Sequence, residues 1–226
     1  MVPDPLHEIK SLIDSRPAAE QRELLAWLRE RHPIHELEAD FGAPAEVILE
    51  AISRASDLSR RGVLGLIAEA SFKVNVIDEL EGWTDEEFLG DAPYDFLITR
   101  GERRVRIQVK RQRLVKSRPM RYSGSPNKYV AETQRSRRGV NPNTGEDTRP
   151  YRFGEFDILA VCMQPATGQW TDFRFTLDRW LMPRTERPDW IKVLQPVSLD
   201  VNTHWTDSLV NAIDWLGADE HKTIHG

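Results

Sequence analysis

The chain has 226 residues, 39% of them hydrophobic and 30% charged, which suits one substantial domain with an appended helical segment, or two small ones, of ordinary globular composition. Its longest uninterrupted apolar stretch, residues 158–163, is far too short to cross a bilayer, and the first eight residues lack the basic start and apolar run of a secretory signal. These features argue against a membrane or exported protein and make a cytoplasmic setting the expectation. The formal charge of −5 conceals a split along the chain: residues 100–152 hold sixteen Lys and Arg against four acids, while the remainder holds fifteen basic against thirty-two acidic residues. Only a surface facing a phosphate backbone needs to be positive, so a local excess of this size points to nucleic acid. A basic surface loop without a partner is the plain alternative.

In chain order, Leu6, Ile9, Leu12 and Ile13 fall at helical spacing, and Pro17 can open a second helix carrying Leu24, Leu25, Trp27 and Leu28. Short helices are expected over residues 34–41 and 45–53, broken at Gly42 and Pro44. They can be a helix-turn-helix or ordinary packing, and the absence of a basic cluster on the second favours packing. A longer helix is expected from Leu58 towards Leu80. The period then changes. Residues 94–99 form a short β-type run, and residues 100–102 supply a turn. Beyond it Val105, Ile107 and Val109 alternate with Arg104, Arg106, Gln108 and Lys110, so the two runs read as an antiparallel hairpin. Residues 111–150 are polar and basic, with one short helix expected over 129–135. Residues 156–163 are apolar on both faces, as in a central strand; a turn at 165–168 and a strand over 170–177 follow, then a helix over 208–216. The sum is an α/β (α+β) domain. Cys162, the single cysteine, reads as a buried free thiol, and His32 with His35 as a surface pair rather than a metal site.

The hairpin brings three polar side chains together. Gln108 and Lys110, two residues apart, project from one face of their strand, and Asp95 lies at the start of the partner strand. An acid, an amide oxygen and an ammonium grouped in this way suit phosphodiester hydrolysis. Magnesium takes hard oxygen ligands, usually one or two from carboxylates. Asp95, the Gln108 side-chain oxygen and the Val109 carbonyl can supply such oxygens, with Mn²⁺ able to substitute. Lys110 would orient or activate the attacking water and offset developing negative charge. Asp157 is a rival acid, but it lies inside an apolar run and reads as structural or as a support behind the site's own residues.

With Pro93, Tyr94 and Asp95 followed thirteen residues later by Gln108, Val109 and Lys110, the chain resembles the PD-(D/E)xK nuclease superfamily, in the variant with glutamine for the second acid. The resemblance covers roughly residues 60–180. It implies a restriction-endonuclease-like central mixed β-sheet flanked by helices, with an N-terminal helical segment outside the match. It also implies a glutamate from the preceding helix; Glu69 has the matching position, with Glu79 or Glu81 as alternatives. One departure is that Pro93 stands two residues before the acid instead of adjacent to it.

The expected organisation is a helical segment over 1–57, a nuclease core over 58–218 with a basic insertion at 111–152, and a frayed tail over 219–226. Arg111, Arg113, Lys116, Arg118, Arg121 and Lys128 follow directly from the catalytic strand and suit phosphate contacts. Gln134, Arg135, Arg137, Arg138, Asn141, Asn143, Arg149 and Arg152 are of types that make contacts to base edges, and form the expected base-reading loop. Tyr122, Tyr129, Tyr151 and Phe153 are expected to anchor that loop. The functional expectation is a Mg²⁺-dependent, sequence-specific endonuclease of restriction type, acting on double-stranded DNA as a homodimer, with a cognate DNA methyltransferase as genomic neighbour. The alternatives are a resolvase, a nicking repair enzyme or a modification-dependent nuclease of the same superfamily, or a non-catalytic DNA-binding regulator.

Overall fold

The structure, a computed structural model, describes residues 5–32, 35–88, 90, 92–123, 125, 127–135, 139–140, 145, 149–218 and 220–225. The chain divides into two compact units, Met1–Arg60 and Arg61–Gly226. The first is helical: α1 (Pro5–Asp14), α2 (Ala18–Arg31), α3 (Leu37–Phe41), α4 (Ala45–Ser53) and the first residues of α5 (Asp57–Phe72). Pro17 and Pro44 stand extended just ahead of α2 and α4, where a missing N–H costs nothing. Gly42 ends α3 in the left-handed region, φ 58°, a conformation that favours glycine. No residue of α1, α3 or α4 is buried, so these helices are held by little apolar packing of their own.

The second unit is a mixed α/β layer structure. Helix α5 continues into a π-helical turn, Lys73–Ile77, so the expected long helix changes its winding instead of running straight to Leu80. The central sheet has the order β1-β2-β3-β7-β8, built from β1 (Thr84–Asp85), β2 (Phe96–Arg100), β3 (Arg103–Arg111), β7 (Ile158–Cys162) and β8 (Phe173–Leu177). Strands β2 and β3 form the expected antiparallel hairpin, β3 and β7 run parallel, and β7 and β8 are antiparallel. Every residue of β7 is buried, as its two apolar faces require.

One face of this sheet, through Ile98, Val105, Ile107, Val109, Ala160 and Phe175, packs on α5 and on α7 (Leu209–Gly217). Phe72 pins α5 there, its ring 5.2 Å from Phe96 and 5.3 Å from Phe173. The other face meets an antiparallel ribbon of β6 (Lys128–Glu132) and β9 (Leu194–Ser198), where Tyr129, Ala131 and Val197 pack with Leu159 and Val161. A small hairpin, β4 (Leu114–Val115) with β5 (Arg118–Pro119), projects from the basic insertion.

Three expectations change. The helix expected over 129–135 is strand β6; Tyr129, Val130 and Ala131 are all buried, and β9 supplies the hydrogen-bond partner. The turn at 165–168 contains one helical turn, α6 (Gln164–Thr167), closed by Gly168 at φ 79°. Within the tail expected to fray, residues 220–225 are described and Ile224 packs on the core: it is buried and its N–H donates to the Trp180 carbonyl at 2.8 Å, while the Trp180 indole N–H donates to the Glu220 carbonyl at 3.0 Å. Among the described residues no helix is long and apolar enough to cross a membrane.

Candidate active site

Asp95 stands one residue ahead of β2, and its N–H donates to the Ile107 carbonyl at 2.9 Å, extending the β2–β3 ladder so that Asp95 faces Gln108. The two side chains are hydrogen-bonded, Gln108 Nε2 donating to Asp95 Oδ2. The same carboxylate oxygen accepts the Val109 N–H at 2.8 Å. Gln108 Nε2 also donates to the Val109 carbonyl at 3.1 Å, and the amide oxygen accepts from the Tyr151 hydroxyl at 3.1 Å. Gln108 is therefore buried with both ends of its amide satisfied. Lys110, two residues on, shares its face, with Nζ 5.4 Å from the centre of the Tyr151 ring. Glu69 lies on α5 one turn before the buried Phe72, half-exposed and within electrostatic reach of both Asp95 and Lys110.

Burial governs the charges. It pushes the Glu69 carboxyl up to about 7, Asp95 adds repulsion, and Lys110 opposes both. The Asp95 carboxyl is raised for the same first reason, with Lys110 and the Val109 N–H pulling it back. Burial lowers Lys110, against the pull of Asp95, Glu69 and Glu132. Tyr151 is raised by burial and by Asp95, so its hydroxyl stays protonated. Among the described residues no group of three or more His, Cys, Asp or Glu gathers as a metal cage. What gathers here is two carboxylates, a backbone carbonyl, a side-chain amide and an ammonium. Such a set can hold a hard cation that keeps much of its water, and can stabilise charge on a phosphate beside it.

The expected DNA-contacting cations have varied settings. Arg111 is half-buried, donating to Gln164 at 2.7 Å with its guanidinium 5.4 Å from the Trp170 ring centre. Arg113 pairs with Glu132, and Gln134 also donates to Glu132. Arg135 pairs with Glu155 at 2.8 Å and lies 5.4 Å from the Tyr151 ring centre. Lys128 donates to the His225 carbonyl at 2.8 Å. Lys116 and Arg118 are exposed on the β4–β5 hairpin, and Arg121 lies over Tyr129. Arg149 donates to the Arg135 carbonyl at 3.4 Å, and Arg152 lies over Trp190. Arg137, Arg138, Asn141 and Asn143 lie outside the described residues.

One feature of the site was not expected, and one was. Tyr151, read as a loop anchor, bonds Gln108 directly and is packed by Lys110 and Arg135. Asp157 fixes Arg106, accepting from its backbone N–H at 2.7 Å and its Nη2 at 2.7 Å, in keeping with a structural acid. Only the aromatic composition around residue 151 hinted at the Tyr151 contact.

No family model matches the chain, and no curated protein matches it. Among solved structures, a bacterial homing endonuclease, I-Ssp6803I, aligns over 63% of this chain and 79% of its own length, with 18% identity and a TM-score of 0.37. A likeness that loose carries no assignment of family or activity.

Proposed function

We propose that this protein is a Mg²⁺-dependent deoxyribonuclease acting on double-stranded DNA, with Glu69, Asp95, Gln108 and Lys110 as its catalytic set. The observation that carries this reading is the meeting of Asp95, Gln108 and Lys110 on one face of the β2–β3 hairpin, within the electrostatic reach of Glu69. A bound Mg²⁺, or Mn²⁺ in its place, would polarise the scissile phosphate and lower the pKa of a bound water. Asp95 and the Val109 carbonyl are the natural oxygens to hold it, with Glu69 completing the charge; one or two carboxylates are the usual number for this ion.

The residues themselves divide the remaining work. The Lys110 ammonium, on the same face as Gln108, would offset charge developing on a phosphate bound there, and a preorganised cation in a water-poor site is worth far more than in bulk water. Burial favours the neutral amine of Lys110, and in that form, rather than as the ammonium, it would accept a proton from the attacking water. Phosphates flanking the cut would lie along the basic segment that follows β3. Cutting both strands at a two-fold symmetric site calls for two copies of the chain, so a restriction-type homodimer with a cognate methyltransferase is the specific form of this reading.

The test is digestion of a defined supercoiled plasmid. The wild-type protein should cut in Mg²⁺ or Mn²⁺ and stop in EDTA. Lys110→Ala should slow cutting by about 10²-fold or more, on the scale of losing one charge-stabilising group, while duplex binding survives. If the wild type binds DNA but leaves plasmid intact with either metal, the protein is a DNA-binding regulator instead.

A further inference from the structure

The orientation of Gln108 differs from that of a standing metal ligand. Its NH₂, not its oxygen, lies against Asp95 Oδ2 and the Val109 carbonyl. Those are two of the oxygens a cation would use, and a polar N–H group between them does what a cation does: it keeps two oxygens together without repulsion. The amide oxygen points the other way, to the Tyr151 hydroxyl at 3.1 Å.

A half-turn about Cγ–Cδ exchanges the two ends of the amide. It would bring Oε1 against Asp95 Oδ2 and the Val109 carbonyl, an oxygen triad that repels itself unless a cation sits among the three. The same turn carries the NH₂ to Tyr151. A tyrosine hydroxyl accepts as readily as it donates, so both orientations leave the buried amide bonded at that end. Gln108 is 2% exposed, which leaves water little access to make good a lost partner. Tyr151 is itself fixed. Its carbonyl accepts from the Ile191 N–H at 2.9 Å, and its ring packs edge-on against Phe156 at 5.4 Å, with Lys110 and Arg135 both 5.4 Å from its centre.

On the basis of the metal-assisted reading above, we propose that Gln108 is a two-position cap. Its NH₂ closes the cation site when no metal is present, its oxygen joins the site when metal enters, and Tyr151 is the positioning residue that holds the amide in either position. Cation entry is thereby coupled to a side-chain turn.

The experiment is nuclear magnetic resonance of the ¹⁵N-labelled full-length chain without DNA, titrated with Mg²⁺. The Gln108 NH₂ pair is assigned through its bonds to the Gln108 backbone, and the Val109 N–H, which bonds Asp95, reports the cation. In metal-free protein both NH₂ protons should be protected from exchange. On saturation the Val109 N–H and the NH₂ pair should shift together, and the NH₂ proton left without an acceptor should exchange about tenfold faster, the factor one net hydrogen bond carries. In Tyr151→Phe the loaded amide has no hydroxyl to meet, so both its protons should exchange quickly. A Val109 N–H that shifts while the Gln108 NH₂ stays still would overturn the cap and leave the nuclease reading intact. So would wild-type plasmid cutting with neither signal moving. A Tyr151→Phe spectrum identical to wild type when loaded would remove Tyr151 from its role. A chain that neither responds to Mg²⁺ nor cuts would lose both readings.

Discussion

Glu69 carries its carboxyl pushed up to about 7, chiefly because burial disfavours the anion and secondarily because Asp95 repels it. An unfolded chain would titrate this group near its ordinary 4.5. Between those values the folded protein keeps a proton that the unfolded chain has released. The associated stability is complete below the unfolded value and is lost as pH rises through about 7. Asp178, pushed up to about 6 by burial, slopes the same way, so the wild-type curve alone does not isolate Glu69. The difference between wild type and Glu69→Gln does. Measured by urea unfolding in EDTA, the wild type's advantage over the variant should shrink as pH rises from about 5 to about 8. A difference independent of pH would mean that the Glu69 carboxyl is solvated and lies outside the cluster.

At the level of elements, the join between β3 and β7 shows what holds the site's strand in place. The Asp157 N–H donates to the Arg106 carbonyl at 2.8 Å, and its carboxylate accepts from the Arg106 backbone N–H and guanidinium. Parallel pairing of β3 with β7 begins one residue further on, at Ile107 and Ile158. Asp157→Ala would leave the Arg106 backbone N–H, Nε and Nη2 without their acceptor, while Nη1 keeps the Gly154 carbonyl at 2.7 Å, at a cost of roughly 2 kcal/mol for charge-assisted bonds in a part-buried setting. Chemical denaturation should read that loss, while Mg²⁺-dependent plasmid cutting at low temperature persists, because Asp157 touches none of the four proposed catalytic side chains. A loss under about 0.5 kcal/mol would place the clamp among solvated surface pairs.

The same elements show what a sequence can and cannot reveal. The β2–β3 hairpin was legible because its information is local: strict alternation of Val105, Ile107 and Val109 with polar residues, and Gly101 at φ 61° in the tight turn. Facing positions across a short hairpin then follow by counting, which is why Asp95 opposite Gln108 was foreseeable. Strand β6 was misread as helix because its partner, β9, comes from far along the chain and leaves no local period of its own. The orientation of the Gln108 amide was beyond reach for the same reason. It is set by Tyr151, 43 residues away, through a bond that no spacing rule announces.

Across the whole molecule, the positive charge of the basic segment is partly spent inside the protein. Arg106 faces Asp157, Arg113 faces Glu132 and Arg135 faces Glu155, so these cations present little net charge to a partner. Lys116 and Arg118 differ: both are exposed on the β4–β5 hairpin, and neither is paired with an acid among the described residues. Each phosphate neutralised adds about −0.9 to the slope of log affinity against log salt, so six contacts would give a slope near −5. Lys116→Ala with Arg118→Ala should make that slope shallower by about 2. Arg113→Ala with Glu132→Ala removes a pair of zero net charge and should leave the slope within about 0.5 of wild type. Fluorescence anisotropy on a labelled duplex between about 50 and 200 mM salt distinguishes these outcomes. If the wild-type slope is flat, the basic segment faces something other than a phosphate backbone. If the two double variants shift the slope equally, phosphate contacts are not chosen by which cations lack an acidic neighbour.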